Sequence, residues 1–244
     1  MPSMQFRVRE AVAARRRIYL LRHGEVSYFA ADGRPLPPLG VSLNAEGVRQ
    51  AEAAREALLR VPIDRVVTSG LPRTQETAEI IVRGRELALE TAPDLREIAP
   101  GKLLDLAGEN FEERFVGALE GAIGQESRFL GGEAFGTFQD RVLPVFRALI
   151  DSTSWKEMLI VAHGGTNRVI LLHALGAPLS SLGRIEQDAG SINVIDVSAD
   201  GSLLVRLMNY SPYSPLKDGL RATTMERIFL EHLEILEAAF RRPE

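Results

Sequence analysis

The chain contains no cysteine, which excludes a disulfide framework, a thiol nucleophile and cysteine-held zinc or iron–sulfur sites. That usage fits a reducing compartment, and a cytoplasmic location is expected. Lysine is nearly absent as well: among the 29 basic side chains only Lys102, Lys156 and Lys217 are lysines, and the rest are arginines. No stretch approaches the roughly 20 consecutive apolar residues that span a bilayer. Residues 1–17, with Arg7, Arg9 and the run Arg15-Arg16-Arg17, lack the apolar segment of a signal peptide. No membrane partner is expected, and the arginine run reads as a solvated lead-in to the first strand. A formal net charge of −4 leaves no basic surface for nucleic acid. Cations in an acidic chain can instead concentrate positive potential in one cleft.

Histidine is also scarce, and its placement is informative. Two of the four histidines end short apolar runs and precede glycine: Ile18-Tyr19-Leu20-Leu21-Arg22-His23-Gly24 and Met158-Leu159-Ile160-Val161-Ala162-His163-Gly164. Such runs read as strands buried on both faces, and open α/β sheets place their chemistry where such strands exit. Arg22 adds a permanent cation beside His23. Arg73, in Ser69-Gly70-Leu71-Pro72-Arg73-Thr74, adds another at an expected helix start. Two imidazoles and two guanidiniums suit a dianionic tetrahedral group, read here as phosphate.

The 244 residues, 45% of them hydrophobic and 25% charged, suit one catalytic domain. Within it we distinguish an N-terminal extension (1–17), a glycine-interrupted lid or insertion (99–133) and a C-terminal helical tail (210–244). The proline- and glycine-rich stretch 27–43 reads as a loop. Asn44 is expected to cap a helix reaching Arg60 that buries Val48, Ala51, Leu58 and Leu59. Further helices are expected over Pro72–Arg83, Phe135–Ile150, Gly165–Leu175 and Thr223–Arg242, and strands at Arg65–Thr68 and Leu87–Thr91. Asp200-Gly201 marks a hairpin between Ser191–Val197 and Leu203–Met208. Alternation of strand and helix implies a mostly parallel sheet covered on both faces. The tail presents Ile228, Phe229, Leu233, Leu236 and Phe240 on one face, which would serve either a homodimer or docking on the chain's own core.

Leu21-Arg22-His23-Gly24-Glu25, the Ser69/Leu71/Arg73 segment, Leu95-Arg96-Glu97 and His163-Gly164-Gly165 together resemble the histidine phosphatase superfamily, phosphoglycerate-mutase-like. They occur in order over most of residues 18–208. The resemblance implies a three-layer α/β/α sandwich, a phosphohistidine intermediate on His23, and no metal or organic cofactor. It makes His23, Glu97 and His163 catalytic, with Glu97 as proton donor. Arg22, Arg73, His163, Gly24, Gly164 and Ser27 would hold the phosphoryl group of a small phosphorylated substrate. The arginines should depress the His23 pKa and so keep its lone pair, and His163 is expected to act as a cation or an N–H donor. Helix starts after Gly24, near Pro72 and after Gly164 would aim N–H groups at the phosphate. Asp94 and Glu109 are weaker candidates for the acid.

One departure concerns the residues after the motif. Family members often carry an asparagine there that touches phosphate, whereas here the chain reads Val26-Ser27-Tyr28-Phe29. Ser27 could substitute, and Tyr28 and Phe29 could wall the leaving group. Glu133 is expected to help start a helix, His173 to be structural and His232 to lie on the surface. The function expected is a phosphatase. The alternatives are a phosphoglycerate-type mutase, which needs more cations than Lys102, Arg114 and Arg128 supply, and a non-catalytic phospho-ligand binding module.

Overall fold

The computed structural model describes residues 10–30, 32–101 and 111–240. Six strands form one sheet: β1 (Arg16–Arg22), β2 (Arg65–Thr68), β3 (Leu89–Thr91), β4 (Glu157–Ala162), β5 (Ile192–Val197) and β6 (Leu203–Tyr210). Their spatial order is β3-β2-β4-β1-β5-β6. The pairs β1–β4, β2–β4 and β2–β3 are parallel, and β5 runs antiparallel to both neighbours. Five strands therefore share a direction, and β5–β6 is the hairpin expected at Asp200-Gly201. Gly201 sits there at φ +81°, a conformation available to glycine without strain.

Period-two alternation explains the three layers. On β1 and β4, Ile18, Leu20, Met158 and Ile160 face one way, onto Phe138, Val142, Phe146 and Val169. Tyr19, Leu21, Leu159 and Val161 face the other way, onto Ala54, Leu58, Ala78 and Ile81. The first layer belongs to α4 (Phe135–Asp151) and α5 (Gly164–Leu175), the second to α1 (Ala45–Ala57) and α2 (Pro72–Val82). The fold is the expected α/β/α sandwich. Among the described residues no helix is long and apolar enough to cross a membrane.

Several local expectations need correction. Asn44 does cap α1, its Oδ1 accepting the Gly47 N–H at 2.8 Å, yet Val48 and Leu59 are exposed. The buried face is Gly47, Gln50, Ala51 and Ala54, because a smooth face lets α1 approach the loop after β1. No helix follows Gly24; the chain runs as loop until α1. Arg16 and Arg17 are not a solvated lead-in, since both open β1. Arg16 donates to the Ile150 and Ser152 carbonyls and lies over Trp155 at 4.4 Å, while Arg17 pairs with Asp196 at 2.6 Å.

Residues 99–133 include α3 (Phe111–Val116), and the tail forms α6 (Thr224–Phe240). Phe115, Leu130, Met225 and Phe229 pack together in a small core of their own, so the tail docks on its own chain. Its expected single face is divided, with Ile228 half-buried and Leu233 exposed. The side chains of Leu236 and Phe240, and residues Lys102 and Glu109, lie outside the described residues.

Candidate active site

The register of the two central strands builds the site. Arg22 pairs with Ala162 across β1 and β4, so His23 and His163 leave adjacent parallel strands at the same level. Their rings meet edge to face with centroids 5.1 Å apart, and both are buried, at 2% and 0% exposure. His23 Nδ1 lies 2.6 Å from the Gly24 carbonyl. A carbonyl only accepts, so Nδ1 carries the proton, and Nε2 keeps a lone pair facing the Arg73 Nε–H at 3.2 Å. Burial, then Arg73 and Arg22, push the His23 pKa well below the ordinary histidine value. His163 is lowered by burial first, then by Arg73 and His23. That direction favours the neutral ring and the role of N–H donor. Its Nε2 meets Ser69 Oγ at 2.7 Å, and its buried Nδ1 has no partner among the described residues.

Both arginines are immobilised by acceptors. Arg22 donates to the Gln187 carbonyl and, at 2.7 Å, to Thr224 Oγ1, and its Nε is buried without a partner among the described residues. Arg73 donates to the Pro38 carbonyl at 2.6 Å. The fork of each guanidinium is thus held while other N–H groups remain for an anion.

Glu97 hydrogen-bonds to main chain with both oxygens. Oε2 accepts from Gly165 N and Oε1 from Ile98 N, each at 3.0 Å, and Arg96 stands away and exposed. The turn bearing Glu97 is gripped by Arg141, which donates to the carbonyls of Asp94, Arg96 and Glu97. Glu133, expected at a helix start, instead pairs with Arg141 at 2.8 Å and accepts the Ala99 N–H.

A cavity of about 400 Å³ opens over Arg22, Arg73, Glu97, Gly164 and Gly165, with Tyr28 and Phe29 in its wall. A second, of about 220 Å³, borders His23, Glu25 and Arg227 and shares Arg22, Tyr28, Thr224 and Ile228 with the first. Of the phosphate-binding residues expected, Gly24 and Ser27 do not join the cluster. The Gly24 N–H donates to Thr77 Oγ1 at 3.1 Å, so it is already used. Ser27 faces Asn44 Nδ2 at 3.5 Å and lines neither cavity. Asp94 is exposed and contributes only its carbonyl. His173 stands edge-on to Phe146, and His232 stacks on Phe29 with centroids 4.2 Å apart. Among the described residues no cluster of His, Asp and Glu could hold a metal ion.

The sequence reading missed Arg168, Thr224 and Arg141. Arg168 is 4% exposed, lines the cavity and pairs with Glu186 at 2.9 Å. A charged residue inside the apolar α5 was its one available signal. Thr224, far along the chain, had none.

Comparison with known proteins identifies the family. Residues 18–210 match the family model described as the histidine phosphatase superfamily (branch 1). The adenosylcobalamin/alpha-ribazole phosphatase of Escherichia coli (strain K12) is 27% identical over 198 residues, covering 79% of this chain and 95% of the relative. A protein of Yersinia pestis (strain Pestoides F) named "Probable phosphoglycerate mutase GpmB" is 29% identical, covering 73% of this chain and 84% of the relative. The crystal structure of the alpha-ribazole phosphatase from Shigella flexneri superposes with a TM-score of 0.65 at 27% identity, over 79% of this chain and 96% of that one.

Proposed function

This chain belongs to the histidine phosphatase superfamily, branch 1, and from that premise we propose that it hydrolyses a phosphate monoester, without metal, through a covalent phosphohistidine on His23. The observation that carries the reading is the state of His23: a buried, neutral imidazole whose Nδ1 is occupied by Gly24 O and whose Nε2 lone pair faces Arg73.

In the first step the Nε2 lone pair forms a bond to phosphorus as the bond to the ester oxygen breaks. The leaving oxygen takes the electron pair and a proton from the Glu97 carboxyl. Arg22, Arg73 and His163 hold the equatorial oxygens, and Gly164 lets the group sit against the start of α5. In the second step the Glu97 carboxylate accepts a proton from water, whose oxygen attacks phosphorus and releases His23. Glu97 then returns to the acid form and inorganic phosphate leaves.

A mutase reading has support from the Yersinia relative's name, but a mutase must grip a second acidic group on its substrate. The larger cavity offers no further uncompensated cation among the described residues. The test is hydrolysis of an aryl phosphate in EDTA by the wild type and by His23→Ala, with folding checked by thermal melting. The expected outcome is unchanged wild-type turnover in EDTA and a loss on the order of 10⁴-fold or more in the variant. A variant that keeps its turnover would refute the covalent mechanism.

A further inference from the structure

We propose that the substrate is the phosphate monoester of an apolar, uncharged alcohol, held by a pocket that α6 completes; the phosphatase reading enters only in placing the phosphoryl group at Arg22 and Arg73. The charged side chains lining the cavity among the described residues are Arg22, Arg73, Glu97 and Arg168, and the Arg168 guanidinium is compensated by Glu186 at 2.9 Å. Most of the remaining wall is carbon, including Leu36, Leu39, Phe115, Leu130, Met225 and Ile228, with Tyr28 and Thr224 the other polar side chains among the described residues. Thr224 lies beneath and is spent on Arg22.

A carboxylate or a run of hydroxyls on the leaving group would lose water in that pocket and find, among the described residues, no partner beyond the groups already paired, at a net cost. An alkyl or aromatic body would gain from burial, and the volume of about 400 Å³ is in the range of small-ligand sites. The roof has a separate origin from the floor. Phosphate-end residues fall within 18–210, the span of the family model, whereas Met225 and Ile228 lie on α6 beyond it. Phe115 on α3 and Leu130 pack against Met225 in the same small core. The tail thus adds Met225 and Ile228 to a wall that Leu36, Leu39, Phe115 and Leu130 begin within the matched span.

The test uses the n-alkylphosphonates from ethyl to octyl, whose P–C bond survives a phosphatase, with binding to the intact protein followed by calorimetry. Affinity should rise by about three- to fourfold per methylene until the cavity is filled. Ile228→Asn should flatten that slope, while Leu216→Asn, at a 91% exposed position outside the cavity, should keep it. A wild-type affinity independent of chain length overturns the proposal. Hydrolysis of the matching alkyl phosphates is read separately. Chain-length-dependent binding without any hydrolysis would uphold the pocket and overturn the phosphatase reading; hydrolysis with flat binding would do the reverse.

Discussion

An imidazole attacks phosphorus only while one nitrogen keeps its lone pair, and at His23 a single carbonyl decides which nitrogen that is. Gly24 O takes the Nδ1 proton, so Nε2 is the atom turned toward Arg73. Burial, and then two arginines beside it, make the imidazolium unfavourable. Arg22 depends in turn on a residue 202 positions away, Thr224. Thr224→Val keeps the shape and removes the acceptor, leaving one N–H of a buried guanidinium with only the Gln187 carbonyl. A hydrogen bond to a charged group contributes about 1.5–3 kcal/mol, so kcat/KM for an aryl phosphate should fall about 10- to 100-fold. Steady-state kinetics check this, and an unchanged value would mean that Gln187 suffices to hold Arg22.

At the scale of elements, two close approaches set the site's shape. A Cβ on Gly24 would lie 2.4 Å from Gly47 O, and one on Gly47 would lie 2.1 Å from Glu25 O. Helix α1 and the loop after β1 therefore touch backbone to backbone. Gly47→Ala should destabilise the protein by at least about 1–3 kcal/mol, since neither backbone can yield without moving His23 or α1; the midpoint of urea unfolding measures it. The second element is the 94–99 turn, bound to α4 by the Arg141 fork and its Glu133 partner. Arg141 is a positioning residue for Glu97. Arg141→Leu should lower kcat by about tenfold or more with KM little changed, because the proposed mechanism uses Glu97 in proton transfer rather than in binding. A rise in KM at constant kcat would contradict that role.

Over the whole molecule, a sheet that buries two neutral histidines has a pH-dependent stability. Both folded pKa values lie below the unfolded value of about 6.5. Above that pH neither state binds the protons, and the folded state has its full stability. Below it the unfolded chain takes up protons that the folded chain refuses, so stability falls with slope up to about 1.4 kcal/mol per pH unit for each histidine. Asp188 and Asp196, held low by Lys217, Arg17 and Arg206, lose their contribution only under more acidic conditions, below about pH 4. Glu157 and Glu231, pushed up by burial, act in the opposite direction, gaining stability as they protonate. Urea midpoints at pH 7.5, 6.5 and 5.5 should drop across the last interval, and less so in His163→Asn. Equal midpoints would show that the histidines are charged in the folded protein.

The sandwich, its strands and most of the site were legible in the amino-acid order, because each depends on local pattern. Apolar runs ending in His-Gly named β1 and β4 and their exits, and Asn44 named a cap that α1 uses. Arg22, His23, Arg73 and His163 followed from their neighbours in the chain and Glu97 from the family resemblance, and the structure brings them together. Helix faces were less legible: Val48 and Leu59 are apolar yet exposed, since close backbone contact at Gly47 outweighed hydrophobicity in orienting α1. Gly24 and Ser27 were misplaced for a related reason, as a motif residue's partner, Thr77 or Asn44, lies elsewhere in the chain. What the sequence determined alone was the chemistry available. That Arg73 faces the lone pair of His23, that Thr224 and Gln187 fix Arg22, that Arg141 holds the Glu97 turn, and that the tail lines the cavity were decided only in three dimensions, because each is a contact between segments whose separation along the chain carries no local signal.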